Sequence, residues 1–196
     1  MKRSIPGTAM EFSEQARDSA YSVIAPVIDA TGGLTLSQLS KLTGLEGSTI
    51  QNWIKRGWVA SPDGKKYLHK QVIRILLINM LRGALKLDDI AKLMVYVNGD
   101  VVDTSDDIID DDVWYNILCR IIFTAEDRGA FDSETIKKLI CAELDSSSSE
   151  IHIHSDEYKL HKAMYVMIMA YRSSCLRTEA EKGMSAILDE MSEDSK

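Results

Sequence analysis

STIQNWIKRGWV, residues Ser48 to Val59, decides how the rest of the chain is read. On a helical wheel at about 100° per residue, Ile50, Trp53 and Ile54 fall together. Ser48, Gln51, Asn52, Lys55 and Arg56 fall on the other side. One face can bury indole and isoleucine, while the other offers two amides and two cations to solvent. Asn and Gln bond adenine edges bidentately, and Arg and Lys read guanine or hold phosphate. A short helix with that outer face has the chemistry a recognition helix needs in a major groove.

The flanking sequence supports a helix-turn-helix. Thr35-Leu36-Ser37-Gln38 and Ser48-Thr49-Ile50-Gln51 both have capping-box spacing. Thr43-Gly44-Leu45 lies between them, and glycine tolerates the positive φ of a tight interhelical turn. Leu39, Leu42, Leu45, Ile50 and Trp53 supply apolar faces that can pack together.

After Gly57, Trp58-Val59-Ala60 and Lys66-Tyr67-Leu68 predict two short strands around Ser61-Pro62-Asp63-Gly64. Such a wing, spanning 58–68, would set Lys65 and Lys66 on phosphate as point charges and let the Tyr67 hydroxyl reach one. Apolar periodicity then predicts helices over about His69–Gly83, Leu87–Val97, Val113–Thr124, Ser133–Leu144 and Asp156–Glu181. An N-terminal helix is expected over Met10–Ala30, kinked or divided at Pro26.

Charge distribution favours the same reading. The chain has 196 residues and a formal net charge of −7, which taken whole argues against nucleic acid. From Ser40 to Lys86, however, nine cations face only Glu46 and Asp63, a net of +7. From Leu87 to Asp112, nine aspartates face Lys92 alone, a net of −8. A local basic patch is the footprint that matters for a polyanion.

Trp53 and Gly57 form a W-x-x-x-G, Lys66-Tyr67 a basic-aromatic pair, and Ile75 to Met94 a closing helix pair. On these residues, Leu36–Leu93 resembles the MerR-like winged helix-turn-helix family. It is also similar to an uncharacterised bacterial branch of that fold, a domain of unknown function with a comparable K-K-Y and L-x-L-x-x-I pattern. The resemblance implies a regulator of transcription. The expected fold is mainly α: a winged helix-turn-helix domain over 1–99 with a small two-stranded wing, then an all-α helical domain over 113–196. That second domain is read as a unit for dimerisation or sensing, with double-stranded DNA, a second copy and an unidentified small-molecule effector as candidate partners.

Other signals are weaker. His152, His154 and His161 lie near Asp156 and Glu157 but match no metal-ligand spacing, so no metal or other cofactor is expected. Asp100–Asp112 lacks the glycine and closing glutamate of a calcium loop. No paired catalytic carboxylates, nucleophile elbow or phosphate loop occurs, so an enzyme is not expected. Three widely spaced cysteines suit a reducing cytoplasm, and the longest apolar run, Met164–Tyr171, is too short to span a membrane. The acidic total keeps an alternative open: a protein-interaction module with a MerR-like fold and no DNA binding. A metal-dependent enzyme built on His152–His161 is a third class.

Overall fold

The computed structural model describes residues 3–62, 64–99 and 107–193. Among them the regular elements are helices: α1 Gln15–Asp18, α2 Ala25–Thr31, α3 Leu36–Thr43, α4 Gly47–Lys55, α5 His69–Leu81, α6 Leu87–Asn98, α7 Asp111–Arg128, α8 Ser133–Ser146 and α9 Glu157–Glu193. The predicted N-terminal helix is broken into α1, a 3₁₀ turn and α2, with Pro26 in the first turn of α2. Proline is tolerated there because the first amides of a helix have no intrahelical partner.

α5 and α7 form the centre. Val72, Ile75, Leu76 and Leu77 of α5 are fully buried, as are Trp114, Tyr115, Ile117 and Leu118 of α7. The two helices pack against each other, α1 covers α7, and α8 and α9 close the other side. One apolar cluster runs from Ile5 to Tyr171, so the halves on either side of residues 99 and 113 share a core.

The N-terminal segment straps these parts together. Gly7 has φ 76°, and a Cβ there would lie 2.3 Å from the Leu76 carbonyl oxygen, a position only glycine can occupy. Asn79 on α5 donates to the Gly7 carbonyl at 2.8 Å and the Thr43 carbonyl at 2.9 Å. Its amide therefore pins both the strap and the end of α3. Tyr115 donates to the Pro6 carbonyl at 2.7 Å from within the core.

The expected two-stranded wing over 58–68 is not present. The described residues contain no strand, only isolated bridges such as Leu34 with Tyr67. The reason lies in where the backbone groups find partners. Trp58 N–H bonds the Trp53 carbonyl and closes α4, while Arg74 takes the Trp58 carbonyl and Gln71 the Ser61 carbonyl. On the other side, Tyr67 exchanges both backbone bonds with Leu34, at 2.8 and 2.9 Å. The two presumed strands are thus satisfied by α5 side chains and by the residues before α3, not by each other. The mainly helical expectation stands; the wing does not. Asp63, within the expected turn, and the Asp100–Asp106 part of the acidic stretch lie outside the described residues.

Candidate nucleic-acid interface

α3 and α4 pack against each other across a short connection, and their caps set where each begins and ends. Thr35 closes a full capping box with Gln38, and Gly44 ends α3 in the left-handed region at φ 71°. The second expected capping box does not form. α4 begins at Gly47 with Glu46 at its cap position, which leaves Ser48 inside the first turn. Gln51 is then released from any capping duty and faces outward.

Ile50 and Trp53 are 0% and 1% exposed and hold α4 against the core. Ser48, Gln51, Asn52 and Lys55 recur at i, i+3, i+4 and i+7 and are all exposed, with Arg56 following. Gln51, Asn52 and Lys55 side chains make no hydrogen bond or ion pair with other described residues. Arg56 stacks its guanidinium 5.1 Å from the centre of the Trp58 ring, which orders a cation at the end of the helix.

The residues after α4 separate into different roles. Lys65 is exposed and, with Gln51, Tyr67 and Thr35, borders an open groove of about 550 Å³ between α4 and the start of α3. Lys66 turns the other way. Its Nζ donates to the Thr31 and Gly33 carbonyls at 3.1 and 3.2 Å, at the negative end of α2. Tyr67 is 4% exposed, and burial pushes its phenol pKa up. The structure therefore gathers Ser48, Gln51, Asn52, Lys55, Arg56 and Lys65 on or beside α4, and places Lys66 and Tyr67 in the support beneath.

A polar cluster behind α4 had no clear signal in the sequence. Arg74, counted in the basic patch, is only 5% exposed and donates from Nε to the Trp58 carbonyl at 3.3 Å. The charges of Asp111 and Asp107 act on it, while burial lowers its pKa. Asn98 joins the group, donating to Asp111 at 3.1 Å and to the Ile109 carbonyl at 2.7 Å. These residues tie the end of α4 to α5, α6 and the start of α7. Arg74, Asn98 and Asp111 come from distant segments and leave no local pattern, which is why periodicity missed them.

The histidine region is dispersed. His152 pairs with Asp110 at 3.5 Å, and His161 with Glu157 at 3.5 Å. Among the described residues no group of three or more such side chains is placed to hold a metal ion. Nor is any helix among them long and apolar enough to cross a membrane.

Comparison with known proteins falls on the same region. A family model described as a domain of unknown function, DUF1836, matches residues 32–118, from just before α3 into α7. Over 91 residues the chain is 29% identical to the uncharacterized protein YkrK of Bacillus subtilis (strain 168), covering 44% of this chain and 39% of that relative. The chain thus matches well under half the length of that protein. No solved structure matches it significantly. The matched segment contains α4 and the Arg74–Asn98–Asp111 cluster together and stops short of α8 and α9.

Proposed function

We propose that this protein is a DNA-binding regulator of transcription that lays α4 in a major groove. The observation that carries the reading is the outer face of α4. Gln51, Asn52 and Lys55 are exposed and unengaged, on a helix whose other face is locked by Ile50 and Trp53. Buried anchors fix the helix, so its amides and cations are presented without the cost of ordering it on binding. The net positive charge of residues 40–86 supplies attraction to phosphate, even with Arg74 turned inward.

The test compares wild-type protein with the Gln51/Asn52/Lys55/Arg56 alanine variant on genomic DNA fragments at moderate salt. The variant is expected to lose about 100-fold or more in affinity for the selected fragments, since base-reading side chains are each worth about 1–3 kcal/mol. Equal binding by both proteins overturns the assignment, as does binding by wild type that vanishes with slight added salt.

The divided roles of the two lysines give a finer expectation. Lys65→Ala weakens binding evenly across sequences and lowers the salt slope by about one. Lys66→Ala leaves that slope unchanged and instead lowers thermal stability, because it removes the cation capping α2. Titrations at several salt concentrations and a melting curve separate the two; a matching slope change in both variants contradicts the placement of Lys66.

A further inference from the structure

Cys141 lies in the middle of α8 and is exposed. Its Sγ is 3.8 Å from Nδ1 of His161 on α9, the helix that packs against α8. Nε2 of the same ring is 3.5 Å from Glu157 Oε1, one turn earlier on α9. A carboxylate at Nε2 favours the tautomer that carries its hydrogen there, which leaves the Nδ1 lone pair facing the thiol. Nucleophile, base and a third group that orients the base form the arrangement that activates a thiol.

The other two cysteines sit beside phenols instead, Cys119 with Tyr115 and Cys175 with Tyr171. Cys119 is fully buried and Cys175 half-buried, and burial pushes both thiol pKa values up. A thiol held in its neutral form is a poor nucleophile. We propose that Cys141 is a modification site, a thiol nucleophile that His161 activates toward small hydroperoxides.

The Cys141 S–H proton passes to His161 Nδ1 as the sulfur attacks the terminal oxygen of R–O–OH. An S–O bond forms and the O–O bond breaks. The departing alkoxide takes the proton from the imidazolium and leaves as R–OH, or as water from hydrogen peroxide. Sulfur is oxidised by two electrons to a sulfenic acid, and the peroxide is reduced. The place of Cys141 within a helix selects this chemistry over acyl transfer. An acyl intermediate needs free backbone N–H groups aimed at its oxyanion. The amides around residue 141 are engaged in the α8 ladder. Attack on a peroxide develops charge on the departing oxygen, which the imidazolium beside the sulfur protonates. The site lies outside residues 32–118, and the inference is independent of DNA binding.

The full chain, reduced and then exposed to hydrogen peroxide with dimedone as the trap for sulfenic acid, tests it. Peptide mapping by mass spectrometry is expected to find the adduct on Cys141 first, with Cys119 and Cys175 unmodified over the same interval. His161→Ala should slow the reaction of Cys141 by about tenfold, less than the 10²–10⁴-fold of enclosed general bases because water reaches this sulfur. Position 161 is partly exposed, so the variant keeps its fold, which circular dichroism checks. Added imidazole should restore much of the rate of His161→Ala. Pyrrole, of the same size but without a basic nitrogen, should not. That contrast separates a proton acceptor from a packing residue. No adduct at Cys141, earlier reaction at Cys119 or Cys175, an unchanged rate in His161→Ala, or equal rescue by pyrrole and imidazole each overturns the proposal.

Discussion

Trp53→Ala is expected to lower the unfolding free energy by about 3–5 kcal/mol, the usual cost of emptying a large aromatic site in a core. Trp53 is 1% exposed and among the largest fully buried side chains, and it sits beneath the face that carries Gln51, Asn52 and Lys55. Domains of this kind are stable by only about 5–15 kcal/mol, so a large part of the margin goes. Chemical denaturation measures it directly. Gln51→Ala, on the same helix but exposed, should change stability by no more than about 0.5 kcal/mol. The contrast matters for function: the proposed contact residues are dispensable for folding, while the indole that aims them is not. A loss below about 1 kcal/mol for Trp53→Ala would mean the site collapses or was never packed as described.

Replacing Arg74 by Met and Asp111 by Leu together is expected to leave stability unchanged or raise it by about 1–4 kcal/mol, because apolar side chains of similar volume avoid the desolvation that the two charges suffer. Burial raises the Asp111 pKa from its ordinary 3.8, although Arg74 and the Asn98 hydrogen bond pull it down. Burial likewise lowers Arg74. Desolvation therefore outweighs attraction in this cluster. It follows that the double variant is more stable than Asp111→Leu alone, which leaves the buried Arg74 charge with less to offset it. A double variant no more stable than Asp111→Leu alone would contradict this balance.

The same cluster predicts an unusual pH response. An acid whose folded pKa is raised binds its proton more tightly in the folded than in the unfolded chain. Its contribution to stability is greatest below 3.8, falls as pH climbs through the raised folded value, and is constant beyond it. The double variant lacks this component, so the stability of wild type relative to it should decline over that window. Denaturation midpoints of both proteins across the acid range check the sign, and a rising relative stability would refute it.

Local signals in the chain located α3 to α8 because their information is short-range. Apolar residues at helical spacing, Thr35 with Gln38, and Gly44 at a left-handed turn each act within a few residues. The wing failed for the complementary reason. Asp-Gly between β-formers favours a hairpin locally, yet Arg74, Gln71 and Leu34 compete for the same backbone groups from elsewhere in the chain. The second capping box failed more narrowly: α4 starts one residue earlier than Ser48, at Gly47. That shift turned Gln51 from a cap partner into an exposed amide.

The charge tally was legible as a sum but not as a surface. Lys65 and Lys66 are adjacent and chemically identical, and sequence alone assigns both to phosphate. The tertiary structure sends Lys66 to the carbonyl end of α2 and leaves Lys65 beside the groove. Arg74 contributes to the +7 of residues 40–86 yet spends its charge internally.

By itself, the sequence determined a helical protein with an amphipathic α4, an amide-cation face outward and Trp53 inward, because side-chain periodicity and capping are properties of neighbouring residues. Only the tertiary structure decided that no wing forms among the described residues, that Tyr67 is core, that Arg74 is buried near Asp107 and the half-buried Asp111, and that α9 outruns its own core. Those outcomes depend on which distant donors and apolar faces reach a segment first, and no local pattern encodes that competition.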